Sequence, residues 1–169
     1  MAAIQQSEIE YRLSGGATNT NPAASLGGEM SSTVIISGSI NNLFDDISGD
    51  ENAASDVEYR GIYVYNGNTA NVWENVVMWI SAEVSGGAVA AIAVADEPAG
   101  NTMETIPNEG TAPVGPVFSS PTSKAAGISL GNIPPLSYRG IWIRRTAQNS
   151  GALSGDGVTI SCEGDTGSL

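Results

Sequence analysis

YRGIYV at residues 59–64 and YRGIWI at residues 138–143 are two versions of one phrase, and they decide the fold. β-Branched and aromatic residues suit a pleated, half-buried surface, so both phrases predict strands. Because successive side chains in a strand alternate between its faces, the aliphatic residues of each phrase share one face. We therefore expect two strands in equivalent or adjacent places at the centre of a β-structure. The side chains expected to meet in one core are Ile62, Val64, Ile141 and Ile143.

The composition favours a single all-β domain. The chain has 169 residues, of which 41% are hydrophobic and only 14% are charged. Globular proteins usually have about 25% charged residues, and here the polarity comes from serine, threonine, asparagine and 21 glycines instead. A chain of this length can bury a core of its own, and its many turn residues are typical of short antiparallel strands.

Further runs of alternating or apolar residues predict the other strands. They lie at residues 9–13, 33–36, 57–66, 72–84, 89–95, 128–130, 138–146 and 158–163. Gly86-Gly87 predicts a hairpin that joins the fourth and fifth of these strands. A proline-rich connection follows it, with one edge segment at Val117-Phe118, and residues 164–169 form a polar tail.

The expected architecture is a two-sheet antiparallel β-sandwich, immunoglobulin-like or jelly-roll, with an extended N-terminal arm. Residues 1–56 are the least regular third of the chain, and we assign them to this arm with short strands. Residues 57–169 form the sandwich domain.

The net charge of −12 argues against two classes of partner. So acidic a surface repels phosphate backbones and anionic lipids, so we expect neither nucleic-acid nor membrane binding. The N-terminus lacks the pattern of a secretory signal, and no apolar run is long enough to span a membrane. Cys162 is the single cysteine and lies in an apolar-alternating run, where a small buried hydrophobic residue is favoured over a reactive thiol.

Catalysis is not expected. The chain contains no histidine, which removes the usual general base and imidazole ligand, and one cysteine cannot build a structural zinc site. A glycosidase needs only two carboxylates, and Glu58 and Glu74 lie near Tyr59 and Trp73. Eighteen acidic residues make such pairs inevitable by chance. We predict no enzymatic activity and no cofactor.

The densest acidic segment, residues 45–51, could supply oxygen ligands for Ca²⁺. If a metal were bound there, its ligands would be Asp45, Asp46, Asp50 and Glu51. The spacing does not match an EF-hand, so we expect a solvated turn-forming loop and no metal.

The arginines follow a pattern. Arg60 and Arg139 hold the same position in the two phrases, and we expect both to pair with acidic side chains of this chain. Arg144 and Arg145 end the second phrase, where they either pair internally or contact another subunit. Aromatic side chains on strands usually pack in the core, but they could also form a platform for sugars. The candidates for that platform are Tyr63, Tyr65, Trp73, Trp79, Tyr138 and Trp142.

The chain resembles small structural proteins of tailed bacteriophages, most of them uncharacterised components of the virion. The similar phrases are EYRLSGG at 10–16, ASLGG at 24–28, NLFDDISGDE at 42–51, EYRGIYVYN at 58–66, SSPTSKAAGISLG at 119–131, IWIRRT at 141–146 and EGDT at 163–166. They cover nearly the whole chain and include no catalytic motif. The resemblance therefore implies a location in the virion more firmly than an activity.

Within a virion, one compact domain with an arm, and without a visible repetitive fibre segment or coiled-coil heptad, favours a capsid cement or decoration protein, made in the host cytoplasm and bound to the capsid surface. Its partners would be the major capsid protein and other copies of itself, with a homotrimer favoured. We expect an arm that orders on the capsid, so that removing it leaves a folded domain. The residues predicted to contact a partner are Leu13, Leu26, Ile36, Leu43, Phe44, Arg144 and Arg145. The alternatives are a tail, baseplate or fibre component that binds host surfaces or glycans, and a free carbohydrate-binding module.

Overall fold

The computed structural model describes residues 3–168 and shows an all-β protein, so the predicted antiparallel sandwich is confirmed. Its strands are β1 (Ile9–Leu13), β2 (Gly27–Gly28), β3 (Val57–Asn66), β4 (Asn71–Glu83), β5 (Val89–Val94), β6 (Met103–Thr105), β7 (Ile128–Ile133), β8 (Ser137–Thr146) and β9 (Val158–Ser168). One short helix, α1 (Gly49–Ala54), and three 3₁₀ turns (Gln6–Glu8, Pro22–Ala24 and Lys124–Ala126) complete the described elements.

Two antiparallel sheets enclose the main core. A four-stranded sheet has the order β1-β3-β8-β5, and a three-stranded sheet has the order β7-β4-β9. The core between them contains all four aliphatic residues of the two phrases, as predicted. The opposing sheet contributes Val76, Met78, Leu130 and Ile133.

The outer face of the four-stranded sheet is also covered. Tyr63 and Trp142 project from it and are fully buried, together with Met103 and Ile106. The cover is the small β2-β6 sheet with its flanking loops. The hydroxyl of Tyr63 donates to the carbonyl of Gly28 at 2.6 Å and accepts from the backbone N–H of Met103 at 2.8 Å, which fastens both small strands to the sheet.

The two phrases lie side by side and are related by a local two-fold axis. β3 and β8 are antiparallel neighbours in which Ile62 faces Ile141, Gly61 faces Trp142 and Gly140 faces Tyr63. Each aromatic ring thus lies opposite a glycine on the other strand, an arrangement that offsets the weak packing of glycine in a sheet.

These two glycines also admit β6. A Cβ atom on Gly61 would lie 2.8 Å from Sδ of Met103, and one on Gly140 would lie 2.7 Å from its Cε. Met103 therefore packs over the centre of the phrase pair because neither phrase has a side chain at that position.

The predicted hairpin between β4 and β5 is wrong. β4 pairs with β7 and β9, whereas β5 pairs with β8 in the other sheet, so residues 84–88 carry the chain from one sheet to the other. The physical reason lies in the composition of β5. Its sequence VAAIAV is apolar at every position, which suits a strand covered on both faces, and only the four-stranded sheet offers such a place.

Three smaller expectations also change. Residues 33–36 form only one bridge, between Val34 and Arg12, and the bridge of the proline-rich connection joins Ser119 to Ile92. Residues 164–168 continue β9 along β4, so they are strand and not a polar tail, while Leu169 lies outside the described residues.

Residues 3–56 do not form a separate arm. β1 pairs with β3 throughout its length, and Leu13 is only 2% exposed in the core. Beyond it, the hydroxyls of Ser14 and Ser25 both donate to the carbonyl of Gly61, at 2.7 and 2.8 Å. The domain boundary expected after residue 56 is therefore wrong, because removing the early residues would strip an edge strand and a buried hydrogen-bond network from the sandwich.

Candidate partner-binding surface

A wide trough opens at one end of the sandwich. Its walls come from residues 35–52, from the β4–β5 crossover within residues 82–90, and from the β8–β9 loop within residues 150–160. Its volume is about 1290 Å³. Ile62 and Ile143 line its floor, so the trough reaches the edge of the main core.

The walls carry unusually exposed apolar side chains. Ile40 is 89% exposed, and the trough is also lined by Val84, Val89, Leu153 and Val158, each at least 36% exposed. Ile36, just outside it, is 68% exposed. Single exposed hydrophobic residues are common on protein surfaces, but a group of them around one concavity makes it a candidate binding surface.

The rim of the trough is acidic. Four carboxylates line it, from Asp45, Asp46, Glu83 and Asp156, against one cation, Arg145. Two of these carboxylates are fixed by backbone donors of the crossover. Glu83 accepts from the N–H of Ala90 at 2.5 Å, and Asp156 accepts from the N–H of Ala88 at 2.7 Å.

A buried charge cluster holds the first wall of the trough against the sandwich. Arg145 on β8 binds Glu58 on β3 with Nε 2.6 Å from Oε2, and it also binds the carboxylate and carbonyl of Asp45. The ring of Phe44 lies against two guanidinium groups, 5.3 Å from that of Arg60 and 4.8 Å from that of Arg145. These contacts position residues 44–45 and therefore the loop around them.

Two effects act in opposite directions on the pKa of Glu58 in this cluster. Burial raises the pKa of the Glu58 carboxyl, and the guanidinium of Arg145 acts in the opposite direction. Arg60 is almost fully buried and pairs with Glu109 at 2.5 Å, which confirms the expected acid partner for this arginine.

The other three arginines of the phrases behave differently from one another. Arg139 donates to the backbone carbonyls of Ala95, at 3.0 Å, and Glu97, where an acidic side chain was expected. Arg144 lies with its guanidinium 5.4 Å from the ring centre of Phe118. Arg145 is engaged internally, as the first of its two interpretations proposed, so little of it is left for a subunit contact.

Some of the predicted contact residues are buried in the structure, and others are exposed. Leu13 lies in the main core and is only 2% exposed, which corrects the expectation for it, whereas Leu43, 9% exposed, belongs to the same core and also lines the trough. Leu26 packs against the second core, and Phe44 packs beneath the arginines. Ile36 remains strongly exposed, and its role as a contact stays a prediction.

Two of the four candidate metal ligands have other roles. Asp45 binds Arg145, and Glu51 belongs to a capping box at the start of α1, where it accepts from the N–H of Ser48 at 2.6 Å. Among the described residues, no three histidine, cysteine, aspartate or glutamate side chains are gathered as a metal site would require. Three members of the proposed sugar platform, Tyr63, Trp73 and Trp142, are buried in the cores and cannot stack on a ligand.

The walls formed by the β4–β5 crossover and the β8–β9 loop were not predicted from the sequence. Leu153 stands alone between glycines and serines, and Val84 precedes a Gly-Gly pair. A large apolar residue inside a loop that has too few apolar neighbours to bury it is the signal that could have identified both.

Searches against protein-family models, curated proteins and solved structures found no match for this chain. Within residues 3–168, none of the helices has the length and apolarity needed to cross a membrane.

Proposed function

We propose that this protein is a non-enzymatic virion component of a tailed bacteriophage, a capsid decoration protein that binds the assembled shell through its trough. The observation that carries this proposal is the ring of exposed apolar residues on three loops at one end of an otherwise well-packed sandwich. Both faces of the four-stranded sheet are already covered, and the exposed apolar side chains that gather around one concavity lie on these loops.

The proposed mechanism is stabilisation of the assembled shell by binding, without a chemical reaction. A protein that binds the assembled shell and not its separate subunits shifts the equilibrium towards the shell, and the stabilisation grows with each bound copy. The trough places apolar side chains where a partner can exclude water from them. The resemblance of the sequence to phage structural proteins supplies the partner, the major capsid protein, and a trimer as the expected oligomer.

A capsid-binding experiment tests the proposal. Shells assembled from the major capsid protein of the same phage are mixed with purified protein and sedimented. We expect co-sedimentation and a higher shell melting temperature. The double variant Ile40→Ser/Leu153→Ser should lose both effects. The matched control Val114→Ser/Val117→Ser should keep them, because those side chains are 81% and 82% exposed but lie outside the trough.

Three results would overturn the proposal. The wild-type protein would fail to sediment with the shells, the two double variants would bind equally, or immunogold labelling of virions would place the protein on the tail. The last result would support the tail-component alternative instead. Light scattering of the free protein tests the trimer separately.

A further inference from the structure

We propose that the trough receives a polypeptide segment of the partner protein that combines apolar and basic side chains. The inference deepens the proposed function and rests on it only in taking the trough as the binding surface. It assigns the chemistry of the occupant, which the resemblance does not specify.

The floor of the trough is apolar, so the segment that binds there should present apolar side chains to it. Ile62 and Ile143 are each 3% exposed, and Leu43 and Ile160 lie beside them at the boundary of the main core. An apolar side chain inserted here would extend that core, which is how peptide anchors usually gain their affinity. A carbohydrate would gain little, because the aromatic lining residues are Tyr11 and Phe44, and Phe44 already lies against two guanidinium groups.

The rim of the trough is acidic, so the segment that binds there should carry positive charge. Four carboxylates line it, and Arg145, the one cation among its described lining residues, is neutralised by Glu58 and Asp45. Two of the carboxylates, those of Glu83 and Asp156, each accept a hydrogen bond from a backbone N–H group, which holds them at the rim. Lysine or arginine side chains that flank the apolar anchors would meet this potential.

The same charges disfavour a second copy of this chain as the occupant. Each copy carries a net charge of −12, so inserting one molecule into the trough of another brings like charges together. The size of the trough favours a segment over a small molecule. Its volume of about 1290 Å³ exceeds the roughly 300–1,000 Å³ typical of small-molecule pockets.

Selection from a peptide library tests the occupant without presupposing its sequence. The full-length protein is incubated with yeast that display random linear peptides, and bound cells are enriched. Synthetic versions of the enriched peptides are then titrated by fluorescence anisotropy at several salt concentrations. We expect sequences rich in leucine, isoleucine or phenylalanine together with lysine or arginine, and an affinity that falls as salt rises.

Variants with matched controls locate the binding. Ile40→Ser/Leu153→Ser should weaken the enriched peptides at least about tenfold, since two apolar contacts are lost. Val114→Ser/Val117→Ser should leave them unchanged. Asp46→Asn on the rim should weaken them about two- to fivefold and reduce the salt dependence, as expected for an exposed charge pair. Glu29→Gln, an exposed acid outside the trough, should do neither.

The outcomes separate this inference from the proposed function. Failure to enrich any peptide, enrichment of peptides without basic residues, or equal loss in the trough and control variants would overturn the inference. Capsid sedimentation is measured independently of these titrations. Peptide binding without capsid binding would therefore refute the decoration role and leave the chemistry of the trough standing.

Discussion

Replacing either glycine of the two phrases with alanine should create a steric clash, and the two clashes should differ in how easily the neighbouring atoms can move away. Gly140→Ala places a Cβ atom 2.7 Å from Cε of Met103 and 3.0 Å from Cβ of Ala95. Gly61→Ala places one 2.8 Å from Sδ of Met103 but also 3.0 Å from the backbone nitrogen of Gly27. The first obstacle is mostly a flexible side chain, whereas the second includes a backbone held by its hydrogen bond to Ser14.

The magnitude follows from two opposing effects. Overpacking a core costs about 1–3 kcal/mol, and replacing glycine with alanine recovers about 0.5–1 kcal/mol from the unfolded chain and the strand. Each single variant should therefore lose about 1–2 kcal/mol of unfolding free energy, or about 2–8 °C in melting temperature for a domain of this size.

Combining each glycine substitution with Met103→Ala distinguishes the two kinds of clash. When Met103→Ala has removed the long side chain, Gly140→Ala should cost little or even stabilise, because its methyl group fills part of the cavity. The coupling energy there should reach about 1 kcal/mol or more. Gly61→Ala should remain costly in the same background, because the backbone of Gly27 is still in the way.

Urea denaturation of the four single and double variants, beside the wild type and Met103→Ala, measures these free energies. Additive effects at Gly140 within about 0.5 kcal/mol would refute the packing argument. Equal coupling at both glycines would refute the distinction between side-chain and backbone obstacles.

Two further predictions concern buried polar groups. Ser14→Ala removes the acceptor of the Gly27 N–H, so it should lower the unfolding free energy by about 1–3 kcal/mol in urea titrations, and an unchanged midpoint would contradict the role of this network. Glu58→Gln tests the pH dependence of the charge cluster. Burial raises the folded pKa of Glu58 above its unfolded value, so its stabilising contribution is complete below the unfolded pKa and is lost as pH rises through the folded pKa. The unfolding free energy of the Gln variant relative to wild type should therefore increase as pH rises above about 4.5, and a decrease would mean that Arg145 outweighs burial.

The central strands could be predicted because their signals are local. The alternation and composition of residues 57–66 predict the bounds of β3 to the residue, and the second phrase predicts β8 to within one residue. Which strands pair is decided by groups far apart in the chain. Gly86-Gly87 marks a turn equally well for a hairpin and for a crossover, and only the covered faces of the four-stranded sheet decide that β5 leaves β4.

The candidate site was likewise predictable only where its signals are local in the sequence. The pattern within residues 1–56 predicts apolar anchors, but the sequence does not say whether an anchor points into its own core or towards a partner. Leu43 and Ile40 are three residues apart in one irregular loop, yet the first is 9% exposed and the second 89%. Arg145 causes part of this difference, since it binds the carbonyl of Asp45 across 100 positions of sequence and draws the end of the loop inwards.

The repeated phrase also explains where the trough lies. Because its two copies run antiparallel, their matched arginines occupy opposite ends of the same strand pair. Arg60 is level with Ile143, and Arg139 is level with Val64. This separates them by four residue steps, or about 13 Å at ~3.3 Å per residue.

Each arginine then holds the loops at its own end. Arg139 binds the carbonyls of residues 95 and 97. Arg60 pairs with Glu109 and lies over Phe44 at the other end, where Arg145 joins it. The end that holds Phe44 therefore has a fixed inner wall and exposed outer loops, and this combination leaves an open trough over the main core.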